Sequence, residues 1–212
     1  MVRKELQHPG VSILAHVTQY DASTALVVVD VQNDFADPAG SLSVRGGDEV
    51  PAVVNAELAA ARPAGAFVVF TQDWHPPETP HFVTSGGVWP VHCVGGTWGA
   101  ELHPALDAAP SEPRIRKGTG GEDGYSGFTM ADPLTGEKAS TGLEAILRQA
   151  GIRRVVVAGL ATDYCVKATA LDAVALGFET AVLREGIRAV ELAPGDGDRA
   201  IAEMEAAGVT LA

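Results

Sequence analysis

The sequence is poor in cysteine and in basic residues. Its 212 residues include 2 cysteines, and 15 lysines and arginines stand against 27 acidic residues, for a formal net charge of −12. Cys93 and Cys165 lie far apart in the chain, so we expect two free thiols and no disulfide framework. The acidic balance argues against a nucleic-acid partner, which requires a footprint of lysine and arginine. Small molecules or proteins fit better as partners.

Long apolar runs and leader-like segments are also missing. No run approaches the roughly 20 apolar residues that span a bilayer, and the first residues lack the apolar core and small-residue cleavage site of a signal peptide. We therefore expect a cytoplasmic protein with no membrane partner. With 46% hydrophobic side chains the chain can bury one sizeable core, so a single domain over residues 1–212 is expected.

Short apolar segments alternate with helix-like segments along the chain. Continuous runs rich in β-branched residues predict strands covered on both faces; they are 25–31, 66–73, 154–161 and 179–186, with shorter candidates at 114–118 and 209–212. Helical patterns cover 48–65, 140–151, 166–177 and 196–208. This alternation predicts a three-layer α/β/α fold with a mostly parallel central sheet, whose ligands bind beyond the carboxyl ends of the strands. Residues 74–113, rich in proline and glycine, are predicted to form a functional loop.

Cys165 stands at the start of a predicted helix, directly after a predicted strand. Apolar residues recur with helical spacing after it, and Thr162 or Asp163 is placed to cap the helix. A cysteine at this position is either core filler or a nucleophile aimed into a cleft. The neighbouring residues do not decide between the two.

Carboxylates end two of the predicted strands. Asp30 follows the run ALVVV and Asp73 closes the next strand, and a carboxylate buried without a partner is costly. Both are therefore candidates for a site at the carboxyl edge of the sheet. For Asp30 the alternative is a helix N-cap or a residue that organises a loop.

A group of histidines follows Asp73. His75 lies on the same side of an extended chain as Asp73, and His81 and His92 follow in loops stiffened by prolines. Three imidazoles and one carboxylate suit a divalent ion such as zinc, iron(II) or manganese. Alternatively, some of these histidines are solvated loop residues. His8, His16 and His103 are expected to be ordinary histidines, and Cys93 a buried thiol.

Five segments together carry a family resemblance. VVVDVQNDF, DWHPPETPHF, WPVHC, RKG and GLATDYCVKATALDA resemble the nicotinamidases, within the isochorismatase-like cysteine hydrolases. The resemblance covers about residues 24 to 212. Residues 1–23 lie outside it, as an N-terminal extension with no role assigned. The glycine-rich segment KGTGGEDGYSGF departs from the pattern and leaves the position of Tyr125 open.

The resemblance implies a function and a set of site residues. It implies an enzyme of NAD salvage that converts nicotinamide to nicotinic acid and ammonia through a cysteine thioester and also hydrolyses pyrazinamide. It implies one divalent metal per chain, with zinc favoured over iron or manganese, and leaves a homo-oligomer open. It implies a cis peptide between Leu160 and Ala161. The implied residues are the triad Asp30, Lys117 and Cys165, the oxyanion donors Ala161 and Cys165, the metal ligands Asp73, His75, His81 and His92, the ring contacts Phe35 and Trp89, and the further substrate contacts Tyr125 and Tyr164.

The chemistry of these residue types supports the same reading. A helix N-terminus and the ammonium of Lys117 would both favour the thiolate of Cys165, although Lys117 could also be a solvated charge. Two rival classes remain. One is a metal-free hydrolase of the same superfamily, acting on another small amide, an N-carbamoyl compound or a vinyl ether, which has no use for the three histidines. The other is a non-catalytic metal-binding module, which would tolerate loss of Cys165.

Overall fold

A computed structural model describes residues 19–212 of the chain. The strands are β1 Thr24–Val29, β2 Phe67–Asp73, β3 Arg114–Lys117, β4 Thr129–Ala131, β5 Lys138–Ser140, β6 Arg154–Leu160, β7 Glu179–Arg188 and β8 Thr210–Leu211. Six of them form one parallel sheet in the order β3-β2-β1-β6-β7-β8, and β4 and β5 form a separate antiparallel hairpin. The predicted parallel sheet is confirmed; the hairpin was not predicted, because its strands are short and not apolar.

Helices cover both faces of the sheet. They are α1 Asn33–Ala36, α2 Val50–Ala61, α3 Leu143–Gln149, α4 Lys167–Ala175 and α5 Asp196–Ala206. Alternate residues of the buried strand β1 point to opposite faces. Leu26 and Val28 join one core cluster with α2, whereas Val27 joins a second cluster with residues of α3, α4 and α5. The predicted three-layer α/β/α architecture is therefore confirmed.

The predicted helices agree with the observed ones at their centres and are longer at their ends. The helix predicted over 48–65 is α2, with a 3-10 turn at Gly47–Glu49 before it, and the helix over 140–151 is the shorter α3. Residues 74–113 contain only short 3-10 turns, as expected of a long loop. Among the helices of residues 19–212, none has the length and apolar character needed to cross a membrane.

Part of the N-terminal extension falls within the described residues. Tyr20, within residues 19–23, donates a hydrogen bond of 2.7 Å from its hydroxyl to Glu57 in α2. His8 and His16 lie outside the described residues. The single domain over 1–212 and the absence of a role for 1–23 stay predictions.

Candidate active site

Three neighbouring strands end in charged residues at one edge of the sheet. Asp30 follows β1, and Asp73 and Lys117 close β2 and β3 as register partners. The Nζ atom of Lys117 lies 2.7 Å from Oδ2 of Asp30 and 2.7 Å from Oδ1 of Asp73. Lys117 is fully buried and also donates to the Gly124 carbonyl. It is therefore not a solvated charge.

Asp30 occupies an unusual backbone conformation between strand and helix. Its φ angle is 49°, a region that few residues other than glycine adopt. The N-cap of α1 is Gln32, so Asp30 is not the helix cap that was the alternative. Its carboxylate accepts hydrogen bonds from the hydroxyl of Thr71 at 2.6 Å and from Lys117. The first turn after β1 thus aims a fully paired carboxylate at the edge of the sheet.

Cys165 lies beside this carboxylate. Its Sγ, a carboxylate oxygen of Asp30 and one of Asp73 all lie within 4.8 Å of one another. The ammonium of Lys117 lies between the carboxylates of Asp30 and Asp73 and neutralises part of their charge. We therefore assign no second metal site to Asp30, Asp73 and Cys165. Cys165 is 6% exposed and lines the cavity described below, and it also touches the core cluster on one side of the sheet.

The helix start around Cys165 differs from the predicted one. A π-helical turn, Thr162–Val166, precedes α4, its N-cap is Ala161, and no side chain caps it. The expectation that Thr162 or Asp163 caps this helix is therefore wrong. Asp163 instead accepts the backbone N–H groups of Val190 and Glu191, which follow β7, at 2.9 and 3.0 Å, so its carboxylate is used there and not on the helix.

Burial dominates the protonation of this cluster. Burial raises the pKa of the Cys165 thiol well above its ordinary value, whereas Lys117 lowers it. The ammonium therefore favours the thiolate, as predicted, but the effect of burial is larger. Burial also raises the pKa of Asp30, against the effect of Lys117, to about 6. For Lys117 burial would lower the pKa, but Asp30 and Asp73 hold it well above its usual range. At neutral pH the cluster therefore contains a protonated thiol, an ionised Asp30 and an ammonium.

Three histidines meet on the other side of Asp73. One ring nitrogen from each of His75, His81 and His92 lies within 4.8 Å of the others. The Nε2 atoms of His75 and His92 lie 3.8 and 3.9 Å from Oδ2 of Asp73. These are the four residues implied as metal ligands, and the fold brings all of them together.

Hydrogen bonds at Nδ1 orient two of the three imidazoles. Nδ1 of His81 lies 2.6 Å from Oδ1 of Asp123, and Nδ1 of His92 lies 2.7 Å from the Pro90 carbonyl oxygen. A carboxylate or carbonyl oxygen only accepts, so each Nδ1 carries the hydrogen and each Nε2 keeps its lone pair. Burial lowers the pKa of His92 to about 4 and also lowers that of His81. Both rings are therefore neutral ligands at neutral pH.

The donor set fits a divalent transition metal. Both ring nitrogens of His75 are buried and lack a hydrogen-bond partner among residues 19–212, an arrangement that is costly unless an ion or another group completes it. Two ligands that share an ion, each about 2.1 Å from it, lie at most about 4.2 Å apart, and the separations from Asp73 fall within that limit. Gly118 allows the close approach, because a Cβ there would lie 2.5 Å from Cε1 of His75.

An aromatic cavity joins the cysteine to the histidines. Its lining includes Cys165, Ala161 and the residues implied to contact the substrate, Phe35, Trp89, Tyr125 and Tyr164, with Asp73, His81 and His92. Trp89 donates a hydrogen bond of 2.8 Å from Nε1 to the hydroxyl of Tyr125, and its ring meets Tyr164 edge-on at 4.8 Å. Phe35 and Trp89 are 7% and 6% exposed. A flat ring would find apolar walls here.

The peptide bond between Leu160 and Ala161 is cis, as the resemblance implied. Ala161 lines the same cavity as Cys165. Cys93 is buried and free, as expected, and lies outside the cavity lining. His103 is set apart from the metal ligands, with its Nδ1 accepting the Ala105 N–H at 3.2 Å.

Three supporting residues were not predicted. The amide of Gln32 pairs with both backbone groups of Asp73, at 2.7 and 2.8 Å, Thr71 donates to Asp30, and Asp123 supports His81. Gln32 and Thr71 are polar residues within apolar stretches at strand ends, which is a usable signal because buried polar groups need partners. Asp123 gives no such signal, because nothing local in the sequence links it to His81.

Comparisons with known proteins identify the family of this chain. The isochorismatase domain model matches residues 24–212. The chain is 38% identical to the nicotinamidase of Escherichia coli (strain K12) over 203 residues, which cover 88% of this chain and 93% of that protein. Two crystal structures are similar. PnC1 from L. infantum, in complex with nicotinate, has a TM-score of 0.83 and 39% identity over 92% of this chain and 95% of that one. Pyrazinamidase of Pyrococcus horikoshii, in complex with zinc, has a TM-score of 0.79 and 39% identity over 90% and 98%. The chain belongs to the isochorismatase family.

Proposed function

We propose that this protein is a nicotinamidase, which hydrolyses nicotinamide to nicotinic acid and ammonia and also accepts pyrazinamide. The observation that carries the proposal is the cavity, which is lined by Cys165 and, nearby, by Asp73, His81 and His92. Asp30 lies beside the cysteine, and His75 belongs to the same group as the other two histidines. A flat heteroaromatic amide has two matching ends, a carboxamide and a ring nitrogen. The similarity to proteins named nicotinamidase and pyrazinamidase supports the same choice.

Cys165 and Asp30 perform the first half of the reaction. The ionised Asp30 accepts the thiol proton as Sγ attacks the carboxamide carbon, and Lys117 holds the carboxylate in place through its 2.7 Å contact. The carbonyl oxygen becomes an oxyanion, for which the backbone N–H groups of Ala161 and Cys165 are the proposed donors. Asp30 then returns the proton to the leaving nitrogen as the C–N bond breaks. A thioester and free ammonia result.

The same two residues perform the second half. A water molecule attacks the thioester carbon and gives its proton to Asp30, a second oxyanion forms, and the C–S bond breaks. The Cys165 sulfur recovers the proton from Asp30, and the acid leaves. Because burial raises the pKa of the Cys165 thiol, a proton acceptor is required in each cycle.

Asp73, His75, His81 and His92 would hold one divalent metal. Zinc is favoured over iron and manganese because the similar pyrazinamidase of Pyrococcus horikoshii is in complex with zinc. A bound ion of this kind supplies a Lewis acid that attracts the lone pair of a ring nitrogen. Phe35 and Trp89 would flank the ring, with Tyr125 and Tyr164 closing the remaining wall. We also predict a cytoplasmic location and no nucleic-acid or membrane partner. A homo-oligomer stays open.

Ammonia release from nicotinamide by the purified, zinc-supplemented protein tests the proposal. We expect turnover of nicotinamide and pyrazinamide, and much slower turnover of benzamide, which lacks the ring nitrogen, because groups built to meet a substrate atom discriminate against an analogue without it. Equal turnover of benzamide would contradict the role given to the histidine end. Turnover of an N-carbamoyl compound by metal-free protein, with none of nicotinamide, would favour the metal-free class of hydrolase.

A further inference from the structure

A carboxylate lies directly behind one of the proposed metal ligands. Oδ1 of Asp123 is 2.6 Å from Nδ1 of His81, whose side chain is 4% exposed, while that of Asp123 is 29% exposed. The two residues belong to different loops, and Asp123 itself is outside the cavity lining. It is thus placed to act on His81 from the side opposite the ligand site.

We propose that Asp123 is a positioning residue that fixes the tautomer and orientation of His81 and thereby sets the affinity of the protein for its metal. The inference rests on the proposed function, in that His81 must be a ligand. A carboxylate at Nδ1 keeps the hydrogen there, directs Nε2 toward the ion and makes the ring a stronger donor. His92 has a neutral carbonyl in the same position, and His75 has no hydrogen-bond partner among residues 19–212. The carboxylate therefore distinguishes His81 from the other two rings.

The backbone around Asp123 is built to hold this contact. Its N–H donates to the Ala131 carbonyl at 2.8 Å, and its carbonyl accepts the Ala131 N–H at 2.9 Å, so the β4–β5 hairpin fixes the residue. A second link joins the same two loops, because the Thr79 hydroxyl donates to the Gly121 carbonyl at 2.8 Å and accepts the His81 N–H at 3.2 Å. The β4–β5 hairpin thus holds Asp123 against His81.

Zinc affinity, measured by competition with a chelator, tests the proposal. Asp123→Asn keeps the shape of the side chain but can present its amide N–H to Nδ1, so we expect zinc affinity to fall by about 10- to 100-fold. Glu122→Gln is the matched control, because it removes one negative charge from the adjacent residue, whose carboxylate accepts the Gly120 N–H in the same loop. Its zinc affinity should equal that of the wild type.

A double-mutant cycle separates positioning from general loss of structure. In a His81→Ala background, Asp123→Asn should have no further effect on zinc affinity, because the residue has nothing left to orient. With saturating zinc, Asp123→Asn should recover ammonia release to within a few-fold of the wild type. If Asp123→Asn binds zinc as tightly as the wild type, or weakens zinc equally without His81, the positioning role is wrong while the proposed function stands. If the wild type takes up no zinc, both fail.

Discussion

The two ends of the cavity differ in how completely their polar groups are paired. At the cysteine end, both oxygens of Asp30 have donors and the ammonium of Lys117 contacts two carboxylates. At the histidine end, His75 has no hydrogen-bond partner among the described residues, and His81 and His92 direct their unprotonated nitrogens inward. The first end is complete in the protein alone, whereas the second requires an added ion, because unpaired buried polar groups are costly. Asp73 contacts both ends, with one oxygen each.

Because the two ends are separate, we expect first that a change at the cysteine end removes the activity and leaves metal binding at the histidine end intact. Cys165→Ala should reduce ammonia release by at least about 10³-fold, since residues that act as one catalytic unit lose most of their effect together. Zinc content and the thermal melting temperature should stay close to those of the wild type, because the thiol is not a ligand. Near-normal ammonia release would show that the cysteine is core packing at a helix start.

Asp30→Asn should cause a loss of similar size. The shape is kept, but the proton acceptor is removed, so we expect turnover to fall about 10³-fold. Combined with Cys165→Ala, the loss should be far less than multiplicative. Melting temperature is the control, since Lys117 loses one of its two carboxylate partners. A fully multiplicative loss would mean that the two residues act separately.

Sequence predicted the positions of these groups better than their protonation. Asp30, Asp73 and Lys117 could be placed because continuous apolar runs locate the strands and parallel strands end at one edge. The thiol was expected to favour its anion, yet burial outweighs the ammonium, and the depth of burial is a tertiary property. Asp123 and His81 meet because the β4–β5 hairpin holds the loop of Asp123 against the loop of His81. No local sequence pattern predicts this tertiary contact.

At the histidine end, replacing one ligand should lower the affinity for the metal before it lowers the stability of the fold. His75→Ala or His92→Ala should lower zinc affinity by at least about 10- to 100-fold, the range seen even for supporting residues, and turnover of nicotinamide should fall with it. His103→Ala is the matched control, because His103 is not among the grouped histidines. Full zinc occupancy in both variants would mean that other residues hold the ion.

Acid should affect the cysteine end first. Burial raises the pKa of Asp30, against the opposing effect of Lys117, to about 6, and the proton acceptor is the ionised form. With zinc in excess, kcat/KM should therefore be level above pH 6 and fall about tenfold per pH unit below it. The pKa of His92, lowered by burial to about 4, keeps that ligand unprotonated in this range. An unchanged rate down to pH 4.5 would exclude Asp30 as the base.

The smallest expected effect concerns the wall between the two ends. Tyr125→Phe removes the acceptor of the Trp89 N–H at 2.8 Å, a bond worth about 0.5–1.5 kcal/mol, so KM should rise by about 2- to 10-fold with little change in kcat. Tyr164→Phe is the control, since Tyr164 meets Trp89 through its ring, edge-on at 4.8 Å, and the ring is kept. A larger effect from Tyr164→Phe would assign the wall differently.

The most direct test is a crystal structure of the zinc-loaded Cys165→Ala variant with nicotinamide bound. We predict one ion held by Asp73, His75, His81 and His92, the ring nitrogen directed at that ion, and the carboxamide carbon beside position 165 within reach of Asp30. A ring bound the other way round, with the carboxamide at the histidines, would contradict the division of the cavity into a reacting end and a binding end.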